Sequence, residues 1–309
     1  MTDEATLSVM IPVEIDDDVL TSTTVSENDY SAYNAGTTYA IGDRCISTTT
    51  HRIYESAANS NTGHDPTDIT NRTGNTVWWI DVSATNAWKM FDTESSTRTV
   101  KATSLTIVVE PGFVSAVYAG GLIADSATIT VKDAPGGTTV LSETIQLENS
   151  YPPDYYEYFF SPFVQQPDLV VTDIPPYLNC EITFTLTIAS GNVECGMFQC
   201  GDLRELGQTK FDARSIPKTY SYIGIDDYGN NEIKRRKSAS DMSLTALIDL
   251  EMADTVVYLM RQIIDVPSLV IATTQTTHAS LRVFGLVKPE MQYDEEDHCF
   301  LKLDVIGLI

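Results

Sequence analysis

The side chains of this chain that could do chemistry are four histidines, five cysteines and a large surplus of carboxylates. General acid–base work needs titratable groups within reach of one another, and a nucleophile needs a base beside it. The histidines His51, His64, His278 and His298 are scattered. His64-Asp65 is an adjacent pair, but it lies in a polar stretch and reads as solvated rather than as a dyad. There is no Gly-x-Ser-x-Gly elbow, no Walker or dinucleotide-binding glycine pattern and no His-Glu-x-x-His run. Carboxylates are too numerous for spacing to single out an acid pair. Cys45, Cys180, Cys195, Cys200 and Cys299 are odd in number and fit no zinc spacing. They read as free buried thiols, with a Cys195–Cys200 pairing or metal site as the lesser alternative. Asp226-Asp227 and Asp294-Glu295-Glu296-Asp297 supply oxygen ligands of the kind Ca²⁺ takes, yet lack the EF-hand pattern and read as solvated turns. The expectation is a protein that is no enzyme and implies no cofactor and no metal.

What remains is recognition. The formal net charge is -24 at pH 7. Such a surface repels nucleic acid and anionic membranes. Against it stands one basic run, Lys234-Arg235-Arg236-Lys237. Docking on an acidic face of a neighbouring copy and pairing within the chain are equally open for it, with nucleic acid the weakest option. The run Tyr151-Pro152-Pro153-Asp154-Tyr155-Tyr156-Glu157-Tyr158-Phe159-Phe160 reads as an aromatic loop leading into a strand. Exposed tyrosines suit recognition, whereas the plainer reading has these rings close the end of a sandwich. No run of 18 or more apolar residues occurs, so no membrane-spanning helix and no membrane insertion are expected. The acidic start Met1-Thr2-Asp3-Glu4 lacks the basic region of a secretory signal.

All three tryptophans fall in Val77-Trp78-Trp79-Ile80-Asp81 and Asn86-Ala87-Trp88-Lys89-Met90-Phe91-Asp92, a stretch that reads as a seam between modules. The second segment resembles the "TNRWAMFD" signature of tailed-bacteriophage virion proteins, with Ala87 and Lys89 where the signature has Arg and Ala. The resemblance implies a tail-tip, baseplate or fibre-associated protein. Its location would be the virion tail after synthesis in the host cytoplasm, and its partners other phage tail proteins and copies of itself. Upstream, Tyr39-x-x-Gly42-Asp43-Arg44-Cys45, Tyr54 and Trp78-Trp79 resemble a small chitin- or cellulose-binding-type module. That likeness implies contact with host surface polysaccharide through Tyr39, Tyr54, Trp78 and Trp79. Neighbouring strand side chains face opposite ways, so Trp78 and Trp79 cannot both point inward. Sugar contact and packing on the seam are both open for the outward one.

The elements that must position these residues are mainly β. Residues 1–29 begin with Leu7, Val9, Ile11, Val13 and Ile15 in alternation, which gives a strand that joins a later sheet or docks on a neighbouring subunit. Residues 30–83 carry short apolar runs between turn-rich segments and form a small aromatic module of about three strands; 59–76 reads as an exposed loop. Residues 84–206 hold strand candidates at 105–109, 115–118, 127–131, 139–141, 181–188 and 195–198, with a turn at Gly191-Asn192. Many short strands with regular turns indicate a β-sandwich. Val193 to Gly201 resembles the last strand of galactose-binding-like jelly rolls. In residues 207–309 the alternation Met242, Leu244, Ala246, Ile248, Leu250 gives way to helical spacing over 251–264, stopped at Pro267, and three further strands follow. The order β-α-β-β-β predicts a C-terminal α+β assembly domain with one helix. The functional expectation is a structural virion protein assembling as symmetric copies. The alternatives are a carbohydrate-binding adsorption protein and a glycan depolymerase.

Overall fold

The computed structural model describes residues 5–92, 94, 96–149, 155–160, 164–165, 167–225, 231–234, 238–273, 280–293 and 297–308. The expected aromatic segment at 151–154, Asp226-Asp227, Arg235, Arg236, Lys237, His278 and Asp294-Glu295-Glu296 lie outside the described residues. The protein is mainly β, built of large antiparallel sheets, with one long helix among the described residues, near the C-terminus. In chain order the first strands are β1 (Thr6–Pro12), β2 (Leu20–Thr23), β3 (Arg44–Ser47), β4 (Arg52–Ser56) and β5 (Trp79–Ala84). Then come β6 (Thr99–Gly112), β7 (Ala116–Gly120), β8 (Ser126–Lys132), β9 (Thr139–Gln146), β10 (Glu148–Asn149), the short helix α1 (Tyr155–Phe160) and β11 (Val164–Gln165). β12 (Leu169–Val171), β13 (Cys180–Cys195) and β14 (Met197–Thr209) complete the middle. The C-terminal part is β15 (Arg214–Thr219), β16 (Tyr222–Ile225), β17 (Asn231–Lys234), β18 (Ser238–Asp249), α2 (Ala253–Ile263), β19 (Ser268–Ile271), β20 (Arg282–Gln292) and β21 (His298–Gly307).

A five-stranded sheet, β2-β6-β13-β8-β9, faces the strands β12, β7 and β14. Alternate residues from both fill one interior: Leu105, Ile107, Ile129, Phe184 and Leu186 from the first, Val117, Ala119, Phe198 and Cys200 from the second. This is the expected sandwich, and period-two patterning produces it because one face of each strand is buried. Two details differ. Gly191-Asn192 is no strand-ending turn: β13 continues through it, with a register break between Thr187 and Asn192 opposite β6. Gly191 takes φ 97°, and Thr103 across from it takes φ 59°. Extra residues absorbed in left-handed conformations form a bulge, which bends the pair without ending it. The run 195–198 is also not one strand, since β13 ends at Cys195 and β14 starts at Met197.

β14 then leaves the sandwich. It pairs with β1 over Gly201 to Gln208, and at its far end with β18 through Gln208–Leu247 and Thr209–Ala246. The ring of neighbours β14-β1-β19-β20-β21-β18 returns to β14, so the C-terminal part is a closed six-stranded barrel. Closure pairs the edges of these six strands with one another, and β15 adds an outer edge against β18. Its interior takes Leu7, Val9, Leu244, Ile248, Leu301 and Leu303, and α2 adds Val256, Met260 and Ile263. Glycines allow the tight wrap around β14. A Cβ on Gly201 would stand 2.1 Å from the Ile11 carbonyl oxygen, and one on Gly207 2.2 Å from that of Leu247.

β1 is thus not an arm reaching a neighbouring subunit; it is threaded into its own chain's sheet between β14 and β19. The reason shows in its burial. Leu7, Ser8, Val9 and Met10 are all buried, because Leu7 and Val9 enter the barrel while Met10 joins Ala116, Tyr118, Met197, Ile271 and Phe284 in a third core between sandwich and barrel. β1 is covered on both faces and has partners on both edges, β14 along its length and β19 at Ser8 and Val9, so it is consumed within its own chain. The expected boundary after 206 lies inside β14, and residues 1–29 give β1 to the barrel and β2 to the sandwich.

Candidate functional site

The small module is the three-stranded sheet β3-β4-β5. It has few aliphatic side chains, so its aromatics must serve as its core. Tyr39, Cys45, Tyr54 and Trp79 are buried together, with Tyr33 and Trp78 packed against them. The Trp79 ring meets Tyr39 edge-on at 5.0 Å and Tyr33 at 6.0 Å, and its Nε1–H donates to the His64 carbonyl at 2.8 Å. The Tyr39 hydroxyl accepts from the Asn34 N–H at 2.9 Å, and Tyr54 Oη pairs with Thr50 Oγ1 at 2.9 Å. Tyr39, Tyr54 and Trp79 therefore offer no ring face to a sugar; as candidate contacts they are corrected to core residues. Trp78 alone of the four is half-exposed. It lies flat on His64 with ring centres 3.7 Å apart. His64 is bonded to Asn61 rather than paired with Asp65. The loop 59–76 is mostly open, but buried Asn61 pegs it down by donating to Ser56 Oγ and the Trp78 carbonyl. Val77, Ile80 and Val82 stand exposed beside Trp78.

The seam itself is a clasp. Asn86 donates through Nδ2 to the Val100 carbonyl at 2.8 Å and accepts the Val100 N–H at 2.9 Å, so its amide mimics a backbone partner for β6. Its own N–H donates to Asp29. Trp88 stacks on His51 at 3.9 Å, and a chain of edge-on contacts runs from Trp88 to Phe91 and on to Phe198 in the sandwich. His51, at φ 54°, reaches Glu27 and Asp17 at 3.1 Å each, and Glu27 also accepts from Thr85 Oγ1. Buried Met90 accepts from the Phe198 N–H at 2.7 Å. Thus the stretch 85–92 ties the N-terminal segment, the module and the sandwich together. Burial raises the Asp92 carboxyl, partly countered by bonds from Thr97 and the Glu94 N–H. No sequence signal separates such a clasp from a binding motif, because both need aromatic and amide side chains.

Of the basic run, Lys234 is described: it ends β17, exposed, with Nζ 5.9 Å from the centre of the Tyr222 ring. β15 lies on the edge of the barrel sheet against β18, and β16 and β17 extend it as a two-stranded ribbon. Ile216, Tyr220, Tyr222 and Ile233 are exposed along this arm. Lys218 reaches Asp241 at 3.6 Å, so part of the arm's positive charge is paired within the chain. On α1, Tyr155, Tyr156 and Phe159 are exposed, and a helical turn replaces the expected strand.

Sequence reading did not find the cleft between sandwich and barrel. About 460 Å³ in volume, it is lined by Arg98, Tyr118, Asp168, Ser240, Arg282 and Phe284 among others, with glycines forming part of its wall. These residues are far apart in sequence and converge only through the shared sheet. Tyr118 stacks on Phe284 at 4.4 Å and its hydroxyl points to Asp168 at 3.4 Å. Burial, then the Asp168 charge, push the Tyr118 phenol well above its ordinary value. The surrounding protein raises the Asp168 carboxyl, but Asp168 stands exposed at the rim, where water screens that rise. Arg98 is ion-paired with Glu194 at 2.8 Å. One carboxylate among guanidiniums is an arrangement that suits binding of a polar ligand. All five cysteines are free and buried. Burial pushes the Cys45, Cys195 and Cys200 thiols up to about 12. Cys195 and Cys200 sit on separate strands of the sandwich interior.

No protein-family model matches the chain, and no curated protein matches it. A solved structure of a mutant of chitosan-binding module 1, from a chitosanase/glucanase of Paenibacillus sp. IK-5, is similar at 16% identity and a TM-score of 0.25. The match covers 37% of this chain and 82% of that one. At that score the likeness carries no argument.

Proposed function

We propose that the chain is a non-enzymatic structural protein of a tailed-phage tail — tail tip, baseplate or fibre attachment — that assembles as symmetric copies of itself. The observation that carries the assembly reading is the arm. Among the described residues β16 and β17 pair only with each other, and they expose Tyr222 and Ile233. A two-stranded ribbon is marginal in water by itself and gains stability by packing against a surface. The tail assignment adds the resemblance of Asn86 to Asp92 to the tail-protein signature. Mass photometry of the purified chain tests the assembly. Higher oligomers at micromolar concentration are expected, and a strictly monomeric chain absent from virions overturns the reading.

A second reading, contact with host surface polysaccharide, is favoured by Trp78. Its ring is held flat on His64 with apolar neighbours exposed beside it. Glycan-array binding that disappears in Trp78→Ala supports it; an array silent for the native chain removes it.

A further inference from the structure

We infer that the cleft between sandwich and barrel is a binding site for a neutral saccharide unit. The inference rests on the polysaccharide reading for the source of its ligand, and not on Trp78. At about 460 Å³ the cleft falls within the range of small-molecule sites, roughly 300–1,000 Å³, and it lies where two packed parts of the chain meet, a common place for such sites. Its lining combines one carboxylate, Asp168, two guanidiniums, Arg98 and Arg282, two hydroxyls, Ser238 and Ser240, and the buried ring of Phe284. That inventory selects the ligand by elimination. An anion meets Asp168 and the field of a chain of net charge -24. A cation meets two guanidiniums. An apolar molecule covers these charges and returns no bond to them. An ionised carboxylate only accepts hydrogen bonds and a guanidinium only donates them, whereas a ring hydroxyl does both and so serves either. The C–H bonds of a sugar ring have Phe284 and Met197 to pack on.

The lining is set before a ligand arrives. Arg98 is held by Glu194 at 2.8 Å, Tyr118 lies on Phe284 with the ring planes 5° apart, and Ser240 Oγ is bonded to Ser215 Oγ at 3.2 Å. The Tyr118 hydroxyl and the Gly121 N–H both point to Asp168. The groups also stand on regular strands: Tyr118 near the end of β7, Ser240 near the start of β18, Arg282 at the start of β20. Side chains already fixed by their neighbours lose little freedom on binding, which favours affinity. A guanidinium has several N–H donors, so Arg98 keeps others for a ligand while it holds Glu194.

Saturation-transfer NMR of the full-length chain tests this with D-galactose, D-glucose and N-acetyl-D-glucosamine. Acetate, choline and betaine serve as anionic, cationic and zwitterionic rivals. At least one neutral sugar binds, with a Kd of about 1 mM or tighter. Asp168→Asn weakens that binding at least about tenfold, because bonds to a charged acceptor are lost. Ser238→Trp sets a large ring into the lining and abolishes it, while Trp78→Ala leaves it unchanged. Asp168 and Ser238 are both exposed, and circular dichroism checks that each variant keeps the native fold. Sugar binding that survives Asp168→Asn and Ser238→Trp overturns the inference; if Trp78→Ala removes it, the polysaccharide reading stands without the cleft. A native chain that binds none of the sugars, or that takes a charged rival in a manner dependent on Asp168, also overturns the inference. The glycan array then decides the polysaccharide reading separately.

Discussion

Replacing Trp79 and Trp78 in turn by Ala separates the module's core from its surface. Trp79 is fully buried, and Trp→Ala in a packed core costs about 3–5 kcal/mol. It also loses edge-on contacts with Tyr39 and Tyr33, worth about 0.5–1.5 kcal/mol each, part of which that range already contains. The His64 carbonyl is left without its donor. A loss of about 4–5 kcal/mol is comparable to all that so small a module holds, roughly 3–8 kcal/mol for residues 30–83 at about 0.05–0.15 kcal/mol per residue. Trp79→Ala therefore unfolds the module while sandwich and barrel, which share other cores, persist. Trp78→Ala gives up its stack on His64 and costs about 1 kcal/mol. Limited proteolysis with mass spectrometry reads this directly: rapid cleavage across 30–83 in Trp79→Ala, a native pattern in Trp78→Ala. Urea titration followed by circular dichroism gives the magnitudes. A Trp79→Ala chain that resists protease and keeps its urea midpoint, or a Trp78→Ala chain that is the more damaged, refutes the core assignment.

Asn86→Ala removes two bonds to the Val100 backbone and leaves those groups short of partners, at a cost of about 2–3 kcal/mol in urea unfolding. Gly201→Ala drives a methyl group into the Ile11 carbonyl and pushes β1 off β14; we expect a loss above about 2 kcal/mol and faster amide exchange along β1. The native chain resists Ellman's reagent at pH 8, and all five thiols react only after unfolding, because burial keeps them protonated and covered. Glu181 is held below the usual carboxylate range by the Lys132 ammonium, then by the Gly136 N–H. A depressed folded value gives stability that is present at neutral pH and is lost as pH falls through it. Glu181→Gln is accordingly less stable at pH 7, and its deficit against the native chain shrinks in acid; a deficit independent of pH contradicts this.

Period decides what the sequence by itself determined. The alternation Met242, Leu244, Ala246, Ile248 gives β18, and the switch to helical spacing gives α2 with Val256, Met260 and Ile263 inward. Leu250, which continued the alternation, instead turns outward in the 3-10 turn between them. β19, β20 and β21 follow in the expected order. Such periodicity is local: it records which face of a strand or helix avoids water, whatever covers that face. The choice of cover is not local. Nothing near Leu7 or Val9 names residues 201–208 and 268–271 as the partners of β1. Nothing in Tyr39, Tyr54 or Trp79 tells a sugar platform from a core, since both call for large flat rings; only the shortage of aliphatic residues in so small a module turns them inward. The cleft lined by Tyr118, Asp168 and Arg282 likewise exists only once distant strands have paired. Local free energy fixed each element's type and face, and the tertiary structure decided which surfaces were consumed in packing and which were left for a partner.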